Sequence, residues 1–430
     1  MFERFHRVVC PLAIATLLGC GSESAPPPSG PGPQSNPPGM LAASTALRVL
    51  DPAVAPGSLA ALVRDNTNAG LELLRRGGDP GASFALSPQS LQLALAMTYE
   101  GARGKTESQM AAALRWSLPK AELHAAFNAL DQQLTQHTSS ANVNLHVVNA
   151  LFGQTSFAFQ QPFVDTVAAH YGAPLSRLDF AANPGAARNA INAWVKRETG
   201  DEIPELLAPD DITSSTEIAL VNAIRFVADW KIKFNAKATR PAPFTRLDGT
   251  ELQLPTMIED SGYNLARRPD WDAIELLYQG DAVSMLIVLP KRESFTTFVA
   301  GLDHAQLAQI DASLELHGAN LELPKFELRA ALPAAPVLQA MGMIDAFNPG
   351  AADLSGIAGA PGDLYISKVV HQAVVRVDED GTRAAAATAV IGTRGGIAPE
   401  SFKVDRPFLF FIRDKAAGAV LFMGRFMGTT

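Results

Sequence analysis

The segment 378–391 constrains the fold more than any other part of the chain. It reads DEDGTRAAAATAVI and follows the strand-like run 374–377. Consecutive alanines favour helix over strand, so a helix capped by Thr382 is one interpretation. Glycines within 392–396 and Pro399 follow directly, and this composition favours an exposed loop.

Small side chains have a second use if this segment is extended. A strand that enters between two existing strands needs side chains that pass without clashing. Alternation would place Thr382, Ala384, Ala386, Thr388 and Val390 on one face and Arg383, Ala385, Ala387, Ala389 and Ile391 on the other. The only charge in this set, Arg383, falls on the face that we expect to stay in water. The pattern therefore predicts a segment able to join a sheet.

Composition narrows the class of protein. The chain has 430 residues, of which 47% are hydrophobic, enough for a substantial core. Its net charge of -8 provides no basic field for nucleic acid. Both cysteines, Cys10 and Cys20, lie in the first twenty residues, so the body has no disulfide framework, cysteine nucleophile or cysteine-based metal site.

The N-terminus has the pattern of a targeting signal. Arg4 and Arg7 precede an apolar run over 8–18, too short to span a bilayer, which ends at Gly19 and Cys20. This resembles a bacterial lipobox, in which the thiol is lipidated. We therefore predict a signal peptide over 1–19, a lipidated Cys20 and a Pro/Gly/Ser-rich linker over 20–57. An ordinary secretory signal is the alternative.

The anchor implies a location on the cell envelope. Gly21, rather than aspartate, follows the cysteine and favours the outer membrane by analogy. The periplasmic and the outward faces both remain open, and the alternative signal would give a secreted protein. Contact with a membrane is expected through the lipid only.

The rest of the chain is predicted to be one α+β domain over 58–430. It has no repeat and no second linker; helical patterns come first, and strand-like runs such as 218–226, 320–328 and 369–377 follow. Signatures of a hydrolase elbow, a zinc-binding helix and a phosphate loop are missing. We expect no catalytic residue, metal or cofactor.

Several motifs, taken in order, resemble one known family. They are the hinge-like 379–388 (EDGTRAAAAT), the strand 402–412 (FKVDRPFLFFI), and shorter matches at 86–90, 192–195, 220–224, 285–290, 323–326, 370–373 and 421–425. Together they resemble the serpins, a family of serine protease inhibitors. The resemblance covers about 58–430. It implies three β-sheets with surrounding helices, an exposed reactive loop at about 379–400, and a monomer.

The resemblance also implies roles for individual residues. The hinge corresponds to Glu379, Gly381, Thr382, Ala384, Ala385, Ala386, Ala387 and Thr388. The cluster that controls opening of the main sheet corresponds to Ser87, Ser90, Asn222 and His371, and Trp230 matches the tryptophan where insertion begins. Arg383 departs from the family pattern, in which inhibitory members usually carry an acidic residue, and the expected effect is modest.

The position of the reactive bond has two interpretations. Counting from the hinge glycine places Gly395 before the cut, and counting back from Pro407 suggests Gly396. Arg394 is the only charged side chain in the centre of the loop, and trypsin-like pockets bind arginine through a carboxylate. We predict cleavage at Arg394–Gly395; an elastase- or subtilisin-like enzyme cutting beside Gly395 is the alternative.

The implied activity is suicide inhibition. A serine protease would attack the loop, form an acyl-enzyme and be trapped when the cleaved loop inserts into the main sheet. The first alternative is a non-inhibitory protein of the same fold that serves in binding or storage on the envelope. The second is an envelope hydrolase whose active-site residues are dispersed along the chain.

Overall fold

The computed structural model describes residues 37–39, 46–140, 143–172, 175–382 and 400–428. Its helices are α1 (Ser58–Arg76), α2 (Pro88–Gly101), α3 (Gly104–Ala113), α4 (Lys120–Ser140), α5 (Gln161–Tyr171), α6 (Pro184–Glu198), α7 (Phe295–Gly301), α8 (His304–Ala312) and α9 (Ala334–Ala340). Short 3₁₀ turns lie at Arg292–Ser294 and Asp345–Phe347.

The strands follow mostly in the second half of the chain. They are β1 (Phe84–Leu86), β2 (Asn144–Gln154), β3 (Leu175–Leu178), β4 (Ile218–Asp229), β5 (Arg240–Thr245), β6 (Glu251–Arg267), β7 (Trp271–Leu277), β8 (Val283–Pro290), β9 (Glu315–Pro324), β10 (Phe326–Pro333), β11 (Ile366–Val377), β12 (Gly381–Thr382), β13 (Glu400–Lys403), β14 (Phe408–Asp414) and β15 (Val420–Phe426).

One sheet, here called the large sheet, has the strand order β10-β11-β4-β2-β3. Its central pair, β11 and β4, is parallel. Strand β10 runs antiparallel to β11 and β2 antiparallel to β4, whereas the edge strand β3 is parallel to β2. Both faces of the central strands are covered, so β4 and β11 are apolar along most of their length. The short strand β12 adds to the end of β4.

The other strands form one network in the order β1-β15-β14-β8-β7-β6-β9-β13, with β5 also paired to β6. The long strand β6 divides this network into two parts. Residues 251–256 of β6 pair with β5, residues 256–265 pair with β9, and residues 264–267 pair with β7. Taken as two parts, the network and the large sheet account for three sheets within the described ranges. The predicted α+β fold class is confirmed.

One predicted strand is wrong. The run 320–328 is not continuous: Pro324 ends β9, and β10 begins at Phe326 in a different sheet. Lys325 lies between them, and its N–H donates to the carbonyl of Pro255 at 2.8 Å. Buried apolar residues recur on both sides of the junction, at Leu321 and Leu323 and at Phe326 and Leu328, and this recurrence conceals it in the sequence.

The end of the predicted linker contacts the body. Arg48 pairs with Asp131 of α4 at 2.5 Å, and the N–H of Val49 donates to the carbonyl of Ala169 in α5 at 2.9 Å. The predicted signal peptide and Cys20 lie outside the described residues. Within the described residues, no helix combines the length and the apolar run that crossing a bilayer requires.

A second core lies on the outer face of the large sheet, under α6. Trp194 of α6 is fully buried and its ring meets Phe152 of β2 edge-on, with centroids 5.8 Å apart. The same cluster contains Val221 of β4 and Val374 of β11. The helix and the connection that follows it therefore cover the centre of the sheet.

We predict that Trp194→Ala destabilises the protein by about 3–5 kcal/mol, because it removes a buried aromatic ring from this core. Urea unfolding followed by circular dichroism measures the effect. Trp194→Phe keeps most of the packing and is the matched control, with a loss less than half as large. Equal losses for the two variants would contradict this role of the ring.

Candidate functional site

The central feature is the seam between β4 and β11, defined here as their parallel ladder. It extends from Ile366 and Ile218 to Val374 and Arg225. Beyond that point β4 continues to Asp229. The seam therefore ends before β4 does, and leaves the last residues of β4 open to another partner.

The start of the predicted hinge occupies that position. After β11 the chain turns, and the N–H of Asp378 donates to the carbonyl of Gly381 at 3.0 Å. Gly381 and Thr382 then run back antiparallel to Asp229 and Ala228. The first two hinge residues are thus already paired with the large sheet.

Glycine is required at position 381 because the backbone of β4 passes very close to it. A Cβ atom at this position would lie 2.1 Å from the carbonyl oxygen of Ala228 and 2.7 Å from the Cα of Asp229. Because both obstacles are backbone, no rotation of a side chain relieves them. Any other residue here would displace the hinge from β4.

An aromatic cluster holds the hinge from below. Thr382 is fully buried, and its hydroxyl lies 2.7 Å from the hydroxyl of Tyr278. Tyr278 stacks on Trp230 with ring centroids 4.4 Å apart. The Trp230 indole N–H donates to the carbonyl of Asp378 at 2.9 Å, and its backbone N–H to that of Asp380 at 2.8 Å. The tryptophan predicted for the start of insertion thus binds the hinge turn directly.

Ion pairs fix the outside of the same turn. Glu379 accepts from Lys325 Nζ at 2.5 Å and from Thr239 Oγ1 at 2.7 Å. Burial raises the pKa of Glu379, but these hydrogen bonds outweigh it and the pKa is lowered. Lys233 Nζ lies 2.9 Å from Asp229 and 3.3 Å from Asp380. Burial lowers the pKa of Lys233, and the two carboxylates reverse that effect and raise it.

The predicted opening cluster lies at the middle of the seam. His371 of β11 and Asn222 of β4 are register partners, and His371 Nδ1 contacts Asn222 Oδ1. The backbone N–H of Ser87 donates to His371 Nε2 at 3.0 Å. Ser87 is also the N-cap of α2, accepting from the N–H of Ser90 at 3.2 Å. The structure thus brings together the four residues Ser87, Ser90, Asn222 and His371.

These contacts define the state of the imidazole. Nε2 accepts a hydrogen bond from an N–H, so it carries no proton, and Nδ1 donates to the amide oxygen of Asn222. Complete burial lowers the pKa of His371 to about 3. The ring is therefore neutral at physiological pH and links β11, β4 and α2.

One member of this cluster was missed from the sequence. The Nδ2 group of Asn222 also contacts Asn149 Oδ1, and Asn149 is its register partner on β2. The available signal was a lone amide inside the apolar run 147–152. Only the pairing of β2 with β4 gives it a partner.

The other end of the loop is also held. The guanidinium of Arg267 donates to the carbonyl of Ser401 at 2.5 Å and to Glu400 at 3.3 Å, where β13 begins beside β9. Between the two ends, the predicted hinge residues Ala384, Ala385, Ala386, Ala387 and Thr388 and the predicted reactive bond Arg394–Gly395 lie outside the described residues.

Comparison with known proteins places the chain in a family. The family model described as Serpin (serine protease inhibitor) matches residues 64–429. The bovine leukocyte elastase inhibitor is 38% identical over 360 residues, covering 81% of this chain and 93% of its own. The chain belongs to the serpin family.

Solved structures agree. The native state of the thermophilic serpin tengpin superposes with a TM-score of 0.80 at 25% identity, covering 89% of this chain and 97% of its own. Human thyroxine-binding globulin complexed with thyroxine gives a TM-score of 0.76 at 26% identity, covering 86% of this chain and 98% of its own. The family and the elastase-inhibitor relatives support protease inhibition.

We predict that protonation of His371 opposes folding. Its pKa falls from 6.5 in the unfolded chain to about 3 in the folded one, so the unfolded state binds more protons between these values. Stability is full above pH 6.5 and falls by up to ~1.4 kcal/mol per unit as the pH drops toward 3. His371→Gln, which cannot titrate, flattens this slope.

The measurement is the unfolding free energy between pH 4 and 8 for the wild type, His371→Gln and the exposed control His317→Gln. Other histidines contribute equally to all three slopes, so the difference isolates His371. A slope for His371→Gln that matches the wild type would refute the assignment.

Proposed function

We propose that this serpin is a suicide inhibitor of serine proteases. The protease serine attacks the carbonyl carbon of the reactive bond, the bond to the leaving nitrogen breaks, and an acyl-enzyme forms. The loop, cut from its C-terminal stem, then inserts into the seam and moves the protease before water completes hydrolysis. The chemistry belongs to the protease, and this chain supplies the mechanical step.

The placement of Gly381 and Thr382 carries the proposal. They pair with β4 just beyond the end of the seam. A strand that continued from Thr382 along β4 would therefore run between β4 and β11. The next residues include four alanines at 384–387, which would enter a packed sheet with little steric cost. A large hinge side chain, or a charge on the inward face, would slow this insertion.

The energy available is sufficient for such a step. Inserting about ten residues would add roughly ten backbone hydrogen bonds, each worth about 1 kcal/mol net. The threonine and valine side chains of the inward face add apolar contact. A release on the order of 10 kcal/mol would make the insertion irreversible on the time scale of trapping.

The loop sequence supports a reactive bond at Arg394–Gly395 and a trypsin-like target. A protease that recognises small residues, of elastase or subtilisin type, would instead cut after Gly395. The elastase-inhibitor relatives make this second class the alternative to test in parallel.

The N-terminal sequence supports an envelope location. A lipid on Cys20 would hold a monomeric inhibitor at the outer membrane, on its periplasmic or outward face. An ordinary signal peptide would instead release it. Metabolic labelling with a fatty acid, with Cys20→Ala as the control, distinguishes the two.

A non-inhibitory binding or storage role is the second candidate. Thyroxine-binding globulin has this fold and is complexed with thyroxine, so the fold alone does not require inhibition. The two roles differ at the hinge. A binder would be nicked by proteases without forming a complex that survives denaturation.

We predict that Thr382→Arg converts the inhibitor into a substrate. Thr382 is fully buried against Tyr278, and burying an unpaired guanidinium costs several kcal/mol. The number of inhibitor molecules consumed per protease should rise more than about tenfold, since each 1.4 kcal/mol is a factor of ten. Thr382→Ser, which keeps the hydroxyl, is the control and should behave as the wild type.

The assay titrates trypsin, elastase and subtilisin with each variant and resolves covalent complexes on denaturing gels. An absence of stable complex with any protease for the wild type would sink the inhibitory proposal. Unchanged consumption for Thr382→Arg would contradict the role of the hinge.

We predict that trypsin releases a C-terminal fragment that begins at Gly395, because arginine precedes that bond. Mass spectrometry of the fragment identifies it. Arg394→Ala should lower the rate of trypsin inhibition about a hundredfold through loss of the charge-assisted pair, and leave elastase inhibition unchanged. A fragment beginning at Gly396 or Ile397 would contradict the assignment of Arg394–Gly395 as the reactive bond.

A further inference from the structure

The connection between α6 and β4 crosses the seam. Residues 199–212 leave α6, which packs on β2, and Ile203, Leu207 and Ile212 join the core that also contains Val370 and Val374 of β11. Asn192 of α6 holds the middle of this connection, accepting from the N–H of Leu207 at 2.9 Å and donating to its carbonyl at 3.0 Å. The connection thus belongs to α6 but reaches over to the other side of the seam.

The first tie on that far side is made by Arg329 of β10. Its Nη1 donates to the carbonyl of Glu202 at 2.7 Å, and its Nη2 lies 3.6 Å from the Glu202 carboxylate. Arg329 is the register partner of Val374, which pairs with Arg225. This tie therefore lies at the end of the seam where the hinge enters.

The second tie is made by Lys368 of β11. Its Nζ lies 2.5 Å from Asp211 Oδ1. Lys368 is the register partner of Ala219, near the opposite end of the seam. The Asp211 carboxylate is oriented by the N–H of Ala208, which donates to Oδ2 at 2.8 Å. The two ties bracket the seam.

These contacts conflict with insertion of a strand. A new strand between β4 and β11 would move β11 and β10 away from β4 by about 4.8 Å, the spacing of neighbouring strands. Glu202 and Asp211 are attached through α6 to the β2 and β4 side. Each ion pair must therefore break, unless the connection detaches from α6 and β4 and moves with β10 and β11.

We propose that Arg329–Glu202 and Lys368–Asp211 are two ionic ties that slow the opening of the seam, with the first tie met early by an incoming strand and the second met late. This regulation rests on the proposed inhibitory function. Both ties are partly exposed, with side-chain exposures of 49% for Arg329 and 29% for Lys368. Salt should therefore weaken them.

Hydrogen exchange tests the ties without a protease. Arg329→Gln and Lys368→Gln should each accelerate exchange of the β4 and β11 amides by roughly two- to fivefold, the range expected for partly exposed ion pairs, and the double variant should exceed either. Raising sodium chloride should accelerate exchange in the wild type but not in the double variant.

The matched control is Glu205→Gln. Glu205 lies in the same connection, but its partner Arg188 is on α6, so this pair does not cross the seam. Glu202→Gln and Asp211→Asn repeat the test from the acidic side. Exchange that is unchanged in the tie variants, or accelerated equally by Glu205→Gln, would overturn the proposal.

Protease titration then separates the two proposals. If the seam opens faster, fewer molecules of the Arg329→Gln variant than of the wild type should be used up for each protease molecule trapped. A wild type that traps no protease, with faster exchange in the tie variants, would refute the inhibitory function and leave the ties standing. If the tie variants exchange their β4 and β11 amides faster but use the same number of inhibitor molecules per trapped protease, the ties do not control trapping.

Discussion

The parallel ladder between β4 and β11 is the constraint on which the rest of the molecule depends. Both strands are buried on two faces, so their backbone groups have no alternative partner inside the protein. Yet the ladder ends at Val374 and Arg225. Beyond it, β4 continues without β11 as its partner, and Gly381 and Thr382 pair with it there instead. A strand that enters between β4 and β11 therefore starts from the end where their ladder stops.

The polar residues inside the seam suit this arrangement. His371, Asn222, Asn149 and the cap of α2 are buried and satisfy one another, and an apolar substitute at any one position would leave its partners unpaired. The network joins three strands and a helix at the level where they would have to separate. The aromatic cluster at Trp230 and Tyr278 holds the hinge turn at the end of the seam where a strand would enter.

The outer layer adds a separate control. The connection after α6 lies over the seam and is attached on both sides, through apolar packing on β2 and β4 and through charges on β10 and β11. Interior hydrogen bonds resist opening in all conditions, whereas the exposed charges respond to salt. The rate at which the seam opens thus depends both on the interior hydrogen bonds, which salt does not change, and on the exposed ion pairs, which salt weakens.

The sequence by itself determined the family and the α+β class, because these depend on local composition and on the order of motifs, and it predicts a small-residue hinge on the same basis. It also identified Ser87, Ser90, Asn222 and His371, but through resemblance. Tertiary structure alone decided that Asn149 completes their network, that the run 320–328 divides between two sheets, and that Arg329 and Lys368 reach across the seam. Each of these depends on strand register or on contacts between residues distant in the chain, which periodicity along one segment does not encode.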